Sequence, residues 1–127
     1  MATPPRPTDA ELSILRVLWE RGPSTVRQVL ESLSAEREIG YTTVLKLMQI
    51  MTDKGLLVRD ESGRTHVYRA RYGQAETQRL LVRDLLERAF GGSAMQLVQR
   101  ALSARRATPE ELAEIRRMLD EYEGGRR

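Results

Sequence analysis

The amino-acid sequence predicts a mainly α-helical protein with one small β-hairpin, arranged as a winged helix-turn-helix followed by a helical region. Three observations support this fold class. Residues 41–54 form an amphipathic pattern with helical spacing, and two short apolar stretches directly after it flank a polar turn. The rest of the chain consists of further amphipathic stretches separated by glycine, proline and capping residues.

Composition limits the class of protein. The 127 residues are enough for one compact domain or for a small domain with an oligomerisation arm. No apolar run approaches the ~18 residues that a membrane span requires, and the start of the chain lacks the apolar core of a signal peptide, so we expect a cytoplasmic protein without a membrane partner. Cysteine is absent, which excludes disulfides and thiolate metal ligands.

The net charge of +3 and the isoelectric point near 9.7 are compatible with a polyanionic partner. Basic residues exceed acidic ones only slightly on either side of Tyr72. Any nucleic-acid surface must therefore come from local placement of charge. The two lysines of the chain, Lys46 and Lys54, both fall within the amphipathic stretch 41–54.

Two helices are predicted before that stretch. Three prolines in residues 1–7 predict a disordered lead-in, and Thr8 and Glu11 have the spacing of a capping box that starts the first helix. This helix should end at Gly22–Pro23, and Ser24–Thr25 should open the second. The apolar positions expected inside are Leu12, Leu15, Leu18, Trp19, Val26, Val29, Leu30 and Leu33. Residues 34–40 then form a polar turn.

The third helix has two distinct faces. The inner face is predicted from apolar residues at i, i+3, i+4 and i+7, which are Val44, Leu47, Met48 and Met51. The opposite face carries Thr42, Lys46, Gln49 and Asp53. Gly55 is expected to end the helix because glycine adopts the left-handed cap conformation at little cost, and Lys54 suits the negative helix end.

The hairpin is predicted from two apolar stretches, residues 56–58 and 66–68, around the turn residues 60–63. It forms the wing, with arginines at positions 59, 64, 69 and 71. Arg64 lies at the predicted tip, where an arginine can contact phosphates or enter a narrow minor groove. A solvated turn residue is the alternative.

The outer face of the third helix is a candidate surface for DNA. Lysine can donate to guanine, glutamine can pair with adenine, and the threonine methyl can contact the thymine methyl. An ordinary solvated face usually mixes glutamate with lysine, whereas Asp53 is the only carboxylate between Gly40 and Arg59. Tyr41 could donate to a phosphate or simply pack. The predicted DNA contacts are Tyr41, Thr42, Thr43, Lys46, Gln49, Lys54 and Arg64.

From these features we predict a winged-helix DNA-binding domain over residues 8–72 and a helical dimerisation region over residues 73–127. In the second region Gly91–Gly92 should break a helix, Ser93 should cap a short one, and Thr108 should start the last. Folding back onto the winged domain is the alternative to pairing with a second copy. The residues predicted at the dimer interface are Leu85, Leu86, Ala89, Phe90, Val98, Leu102, Leu112, Ile115 and Leu119.

The sequence offers no set of residues for catalysis, so we expect that the protein is not an enzyme. It contains neither a nucleophile–base pair nor a glycine-rich phosphate loop. His66 is the only histidine, and without cysteine a transition-metal site would depend on carboxylates alone. We therefore expect neither a metal nor a cofactor.

The chain resembles the BlaI/MecI penicillinase-repressor family of bacterial regulators. The resemblance rests on ELSILRVLWERGPSTVRQVLESL, on YTTVLKLMQIMTDKGLLVRDESGRTHVYRA and on FGGSAMQLV. It implies an N-terminal winged helix, a C-terminal dimerisation region, and a homodimer that represses transcription from a dyad operator. In the penicillinase branch a membrane sensor-protease signals and the repressor is cut at an Asn–Phe bond. The corresponding position here is Arg100–Ala101, which we treat as a hypothetical cleavage point.

The sequence therefore predicts a cytoplasmic, dimeric, sequence-specific transcriptional repressor that binds double-stranded DNA. An upstream sensor-protease is a candidate partner, and weakening of the dimer by a ligand is the alternative signal. Two other functions stay open: a winged-helix regulator that binds a small molecule, and a protein-interaction adaptor that uses the winged fold without DNA.

Overall fold

A computed structural model describes residues 4–125 and confirms a mainly helical fold with one antiparallel hairpin. The elements in chain order are α1 Asp9–Arg21, α2 Val26–Ser34, α3 Tyr41–Lys54, β1 Leu57–Asp60, β2 Val67–Ala70, α4 Gln74–Phe90, α5 Ala94–Ala104 and α6 Pro109–Gly124. Residues 4–8, in the predicted lead-in and its cap, have no regular secondary structure, and residues 1–3 lie outside the described part. Within residues 4–125, no helix combines the length and the apolar character needed to cross a membrane.

The helix starts follow local capping chemistry, as predicted. Thr8, Thr25 and Thr108 each form a complete capping box, in which the threonine hydroxyl accepts from a first-turn amide and the side chain at N3 accepts from the threonine amide. Ser93 caps α5 by accepting from the amide of Gln96. Gly55 ends α3 at φ +87°, a backbone conformation that side chains with a Cβ rarely adopt.

Residue contacts divide the chain into two compact units, residues 1–82 and residues 83–127, with the division inside α4. The first unit contains the hydrophobic core, where α1, α2 and α3 pack together with the hairpin. Ile14, which the sequence pattern did not single out, is fully buried, whereas Leu12, Trp19, Leu30 and Leu47 are only partly buried at its edge. The core residues are Ile14, Leu15, Leu18, Val26, Val29, Leu33, Val44, Met48, Met51, Leu56, Leu57 and Tyr68.

The hairpin pairs β1 with β2 in a register that places Leu57 opposite Ala70 and Asp60 opposite Val67. Both strands begin one residue later than predicted and extend two residues further. Leu56 is excluded from the first strand because its amide donates to the carbonyl of Met51 at 2.8 Å and so closes the end of α3.

The wing is tied to the first unit by an isolated β-bridge. The amide of Ser24 donates to the carbonyl of Tyr68 at 2.9 Å, and the amide of Tyr68 donates to the carbonyl of Ser24 at 2.8 Å. The Ser24 hydroxyl also donates to the carbonyl of Gly22 at 2.8 Å. This bridge holds the hairpin beside the start of α2 and therefore fixes the position of the wing relative to α3.

The second unit contains the end of α4 together with α5 and α6. Gly91 and Gly92 have positive φ and end α4, which confirms the predicted break. Neither α5 nor α6 has a buried residue. Large apolar side chains are open to solvent in both helices, with Met95 at 71% and Tyr122 at 72% exposure. The apolar stripes of this unit thus lack the cover that a self-contained core would provide.

Candidate nucleic-acid interface

The outward face of α3 is a polar surface with no carboxylate in its first two turns. Its inner face is held by Val44, Met48 and Met51, which are completely buried. This anchoring leaves the opposite side chains exposed, among them Thr42, Thr43, Lys46 and Gln49. Gly40 occupies the N-cap and supplies no side-chain cap bond. The N-terminal amides of α3, which carry the positive end of the helix dipole, therefore have no side-chain acceptor at this cap.

A groove of about 580 Å³ lies between the start of α2, the start of α3 and the wing. It brings together Tyr41 and Arg64, two of the predicted DNA contacts that are 23 positions apart in the sequence. Its lining contains two arginines and no carboxylate. The lining residues are Thr25, Val26, Arg27, Tyr41, Leu45, Arg64, Thr65, His66 and Tyr68. This groove adjoins the outward face of α3 because Tyr41 and Leu45 belong to that helix.

Arg27 is a site residue that the sequence pattern did not single out. Its guanidinium lies over the ring of Tyr41, 5.3 Å from the ring centroid, in a cation–π arrangement. Arg27 also stands in the first turn of α2, where a positive charge opposes the helix dipole. The sequence did contain a signal for Arg27. A cation in the first turn of a helix does not stabilise the helix, so its presence there indicates another role.

The wing carries its own internal electrostatics. Glu61 lies 3.6 Å from the guanidinium of Arg59, and its other oxygen lies 3.6 Å from Nε2 of His66, a contact that becomes an ion pair only when the imidazole is protonated. A hydrogen bond with Tyr68, with the charge of Glu61, holds the pKa of Arg59 above its ordinary value. The carboxylate of Asp60 accepts from the amide of Ser62 at 2.9 Å, and this bond lowers the pKa of Asp60.

Arg59 is thus engaged within the hairpin, whereas Arg64 is exposed in the turn between the strands. Among residues 4–125, no ion pair involves Arg64 or Lys46. These two cations, one on the wing and one on α3, are available to a polyanion.

Lys54 has a different environment from the other predicted DNA contacts. Its Nζ lies 2.7 Å from Oε1 of Glu11, whose side chain is 3% exposed against 33% for that of Lys54. Burial by itself raises the pKa of Glu11, but the hydrogen bond from Lys54 and those from Thr8 outweigh it and lower the pKa below the ordinary value. Lys54 therefore joins the end of α3 to the start of α1, and it does not line the groove.

The residues predicted at a dimer interface are not buried in this chain. Leu119 is 58% exposed, Val98 49%, and Leu85 46%. The others are either exposed or only partly covered. Arg100 and Ala101, the hypothetical cleavage point, are both exposed but lie inside α5. In residues 4–125 no cluster of three or more histidine, aspartate or glutamate side chains could hold a metal ion.

The fold of the first unit, with the exposed face of α3 beside a hairpin wing, defines a protein of the winged-helix class. Residues 7–121 match the family model for the penicillinase repressor, and the chain belongs to that family. The resemblance predicted from the sequence is thereby confirmed. The family is one of transcriptional repressors, not of enzymes.

Two related proteins match nearly the whole chain. The chain is 35% identical over 126 residues to the transcriptional regulator BlaI of Mycobacterium tuberculosis, covering 98% of this chain and 91% of that protein. It is 24% identical over 118 residues to the penicillinase repressor of Bacillus licheniformis, covering 93% of this chain and 92% of that protein.

Two solved structures are similar to part of the chain. One is the solution structure of the monomeric form of Bacillus licheniformis BlaI in complex with the blaP half-operator, with a TM-score of 0.52 and 25% identity over 60% of this chain and 93% of that one. The DNA-binding domain of the repressor BlaI matches with the same values. These matches support the winged-helix fold.

Proposed function

We propose that this chain is a sequence-specific DNA-binding transcriptional repressor that acts as a homodimer on a dyad operator. The observation that carries the proposal is the continuous surface formed by the outward face of α3 and the groove beside the wing. This surface contains Lys46, Arg27 and Arg64 and no carboxylate in the groove lining. Membership of the repressor family and similarity to BlaI, whose structure was solved with a half-operator, support the same function.

Two groups of side chains make different contacts with DNA, one with base edges and the other with the sugar–phosphate backbone. Four exposed polar side chains of α3 enter the major groove and contact base edges: Thr42, Thr43, Lys46 and Gln49. Arg27, Tyr41 and Arg64 line the groove beside the wing and contact the sugar–phosphate backbone. Backbone contacts of this kind set the position of a protein on the duplex but carry no sequence information directly.

The groove suits a chain of phosphates because each of two of its walls carries an arginine. Arg27 is stacked on Tyr41 at one wall, and Arg64 belongs to the wing at another. A stacked guanidinium loses less conformational entropy when it binds, since the ring already restricts its orientation. Each phosphate contact also releases a condensed counterion, so binding must weaken as salt rises.

Dimerisation is supported by the uncovered apolar side chains of the second unit. A monomer that exposes Met95, Leu119 and Tyr122 leaves apolar area in water, and burying it between two copies is favourable by ~25 cal/mol per Å². A twofold dimer presents two winged domains to the two half-sites of a palindrome. The linked domains reinforce each other's binding through their effective concentration.

The experiment that tests DNA recognition starts from selection of a random duplex pool with the full-length protein. The enriched duplex is then titrated with Lys46→Ala, Arg64→Ala and, as a matched control, Arg16→Ala on the exposed face of α1. Lys46→Ala should cost ~1–3 kcal/mol on the enriched duplex and relax discrimination at one base pair. Arg64→Ala should weaken binding to every duplex and reduce the salt slope by about one.

The control variant Arg16→Ala should leave both the affinity for the enriched duplex and the salt slope unchanged. If no sequence is enriched and binding to duplex DNA does not depend on salt, the proposal is wrong, and the adaptor function that dispenses with DNA is favoured instead. Unchanged affinity of Lys46→Ala for the enriched duplex would refute the assignment of α3 as the recognition helix.

A further inference from the structure

Ile50 is an apolar residue on the polar side of α3. It is 40% exposed, whereas Leu45 and Leu47 of the same helix pack against the core. Ile50 follows Thr43 by seven positions and Lys46 by four, so the three side chains share one stripe of the helix surface. Because the core does not enclose it, the side chain is free to contact a ligand of the helix.

We infer that Ile50 contacts the 5-methyl group of a thymine in the major groove and selects thymine over cytosine at one base pair of each half-site. This inference rests on the proposed function and adds a specificity-determining residue to it. The thymine methyl is the apolar group that base edges present in the major groove. A cytosine at that place carries only a hydrogen at C5, so the contact with the methyl group is lost, and its amino group replaces the O4 carbonyl beside that position.

The position of Ile50 locates the thymine. At ~1.5 Å rise per residue, Ile50 lies about 6 Å from Lys46 along the helix axis. Base pairs follow one another at ~3.4 Å along the duplex. The thymine should therefore lie within about three base pairs of the position where Lys46→Ala relaxes discrimination.

DNA fits the surroundings of Ile50 better than a protein partner does. The charged side chains three or four positions from Ile50 are the cations Lys46 and Lys54 and the single carboxylate of α3, Asp53. The polar Thr43 lies seven positions before Ile50 on the same stripe. A protein–protein contact is expected to have an apolar centre of several side chains. One isoleucine among hydrogen-bonding and charged groups instead matches the major groove, where single methyl groups alternate with donors and acceptors.

The test uses thymine-to-uracil replacement, which removes only the methyl group. On the duplex enriched by the full-length protein, each thymine is replaced in turn and binding is measured by fluorescence anisotropy for the wild type, Ile50→Ala and Thr43→Ser. The wild type should lose about fourfold affinity per substituted half-site at one thymine, the value expected for one lost methyl burial. Ile50→Ala should be insensitive at that thymine, and Thr43→Ser should remain sensitive.

A second measurement needs no variant. Cytosine placed at the same position should weaken wild-type binding, and 5-methylcytosine there should recover part of that loss. If Ile50→Ala responds to uracil like the wild type, if Thr43→Ser alone abolishes the response, or if no wild-type thymine responds, the inference is overturned. If a duplex is enriched and Lys46→Ala weakens binding to it, but one of these results is found, the proposed function still stands. Failure to enrich any duplex refutes both.

Discussion

The ion pair between Lys54 and Glu11 predicts that one of the two lysines serves stability and the other serves DNA. Replacing Lys54 by Met keeps most of the aliphatic side chain and removes the ammonium group. Glu11 would then remain almost completely buried, with Thr8 as its only other hydrogen-bond partner among the described residues. A buried carboxylate that loses its cation is strongly destabilising because neither water nor an opposite charge compensates it.

The size of the effect follows from the exposure of the two partners. Breaking a fully buried pair costs ~3–5 kcal/mol, whereas exposed pairs contribute ~0–1 kcal/mol. Lys54 is about one third exposed at 33%, so solvent screening places this pair between the two limits. We expect Lys54→Met to lower the free energy of unfolding by about 2–3 kcal/mol at pH 7. With a urea m-value of ~1–3 kcal/mol per molar, the midpoint should fall by roughly 0.7–3 M.

The same pair predicts a dependence on pH. The folded-state pKa of Glu11 lies below the ordinary value of 4.5, so the ion pair contributes stability above that value and loses it as pH falls through the folded-state pKa. In Lys54→Met the neutral carboxyl is the easier form to bury. The stability difference between wild type and variant should therefore be largest near neutral pH and should shrink as pH falls below about 4.5.

The assay is urea denaturation of the full-length chain, followed by the fluorescence of Trp19. This is the single tryptophan of the protein, and its indole donates to the carbonyl of Tyr72 at 3.0 Å within the first unit. The matched control is Lys46→Met, which should leave the midpoint unchanged and lower the affinity for the enriched duplex. An unchanged midpoint for Lys54→Met, together with a loss of DNA affinity equal to that of Lys46→Met, would refute the reasoning and support the predicted DNA contact of Lys54.

Three further predictions concern the backbone contacts, the assembly and the release of DNA. Arg27→Ala should lower affinity for all duplexes and flatten the salt slope in anisotropy titrations, while Arg16→Ala should do neither. A salt slope of Arg27→Ala equal to that of the wild type would show that Arg27 does not contact DNA. Leu119→Asp should convert a sedimenting dimer into a folded monomer that binds the full operator poorly, and a monomeric wild type at micromolar concentration would contradict pairing. Cleavage within residues 91–107, or a weakening of the dimer there, should release DNA because it separates the two linked winged domains. The recognition helix with Lys46 should stay intact. An immunoblot in which the full-length band persists while the target gene is induced by cell-wall stress would exclude proteolysis, including cleavage at Arg100–Ala101, and favour a reversible ligand switch.

The sequence alone determined where the helices lie and which face of α3 is buried. Capping boxes at Thr8, Thr25 and Thr108 and the glycines after α3 and α4 act over three or four positions, so a linear pattern contains all the information that these helix ends require. The face of α3 was predictable for the same reason, since the spacing of Val44, Met48 and Met51 places Lys46 on the opposite side.

Only the tertiary structure decided which side chains share a surface and which are held inside the unit. Glu11 fits its capping box by sequence, yet the carboxylate also binds Lys54, 43 positions away. Arg27 stacks on Tyr41, and Ser24 pairs with Tyr68 across the base of the wing. Contacts of this kind depend on how α1, α2 and the hairpin pack around α3, and that packing is a property of the whole core that no local pattern of residues contains.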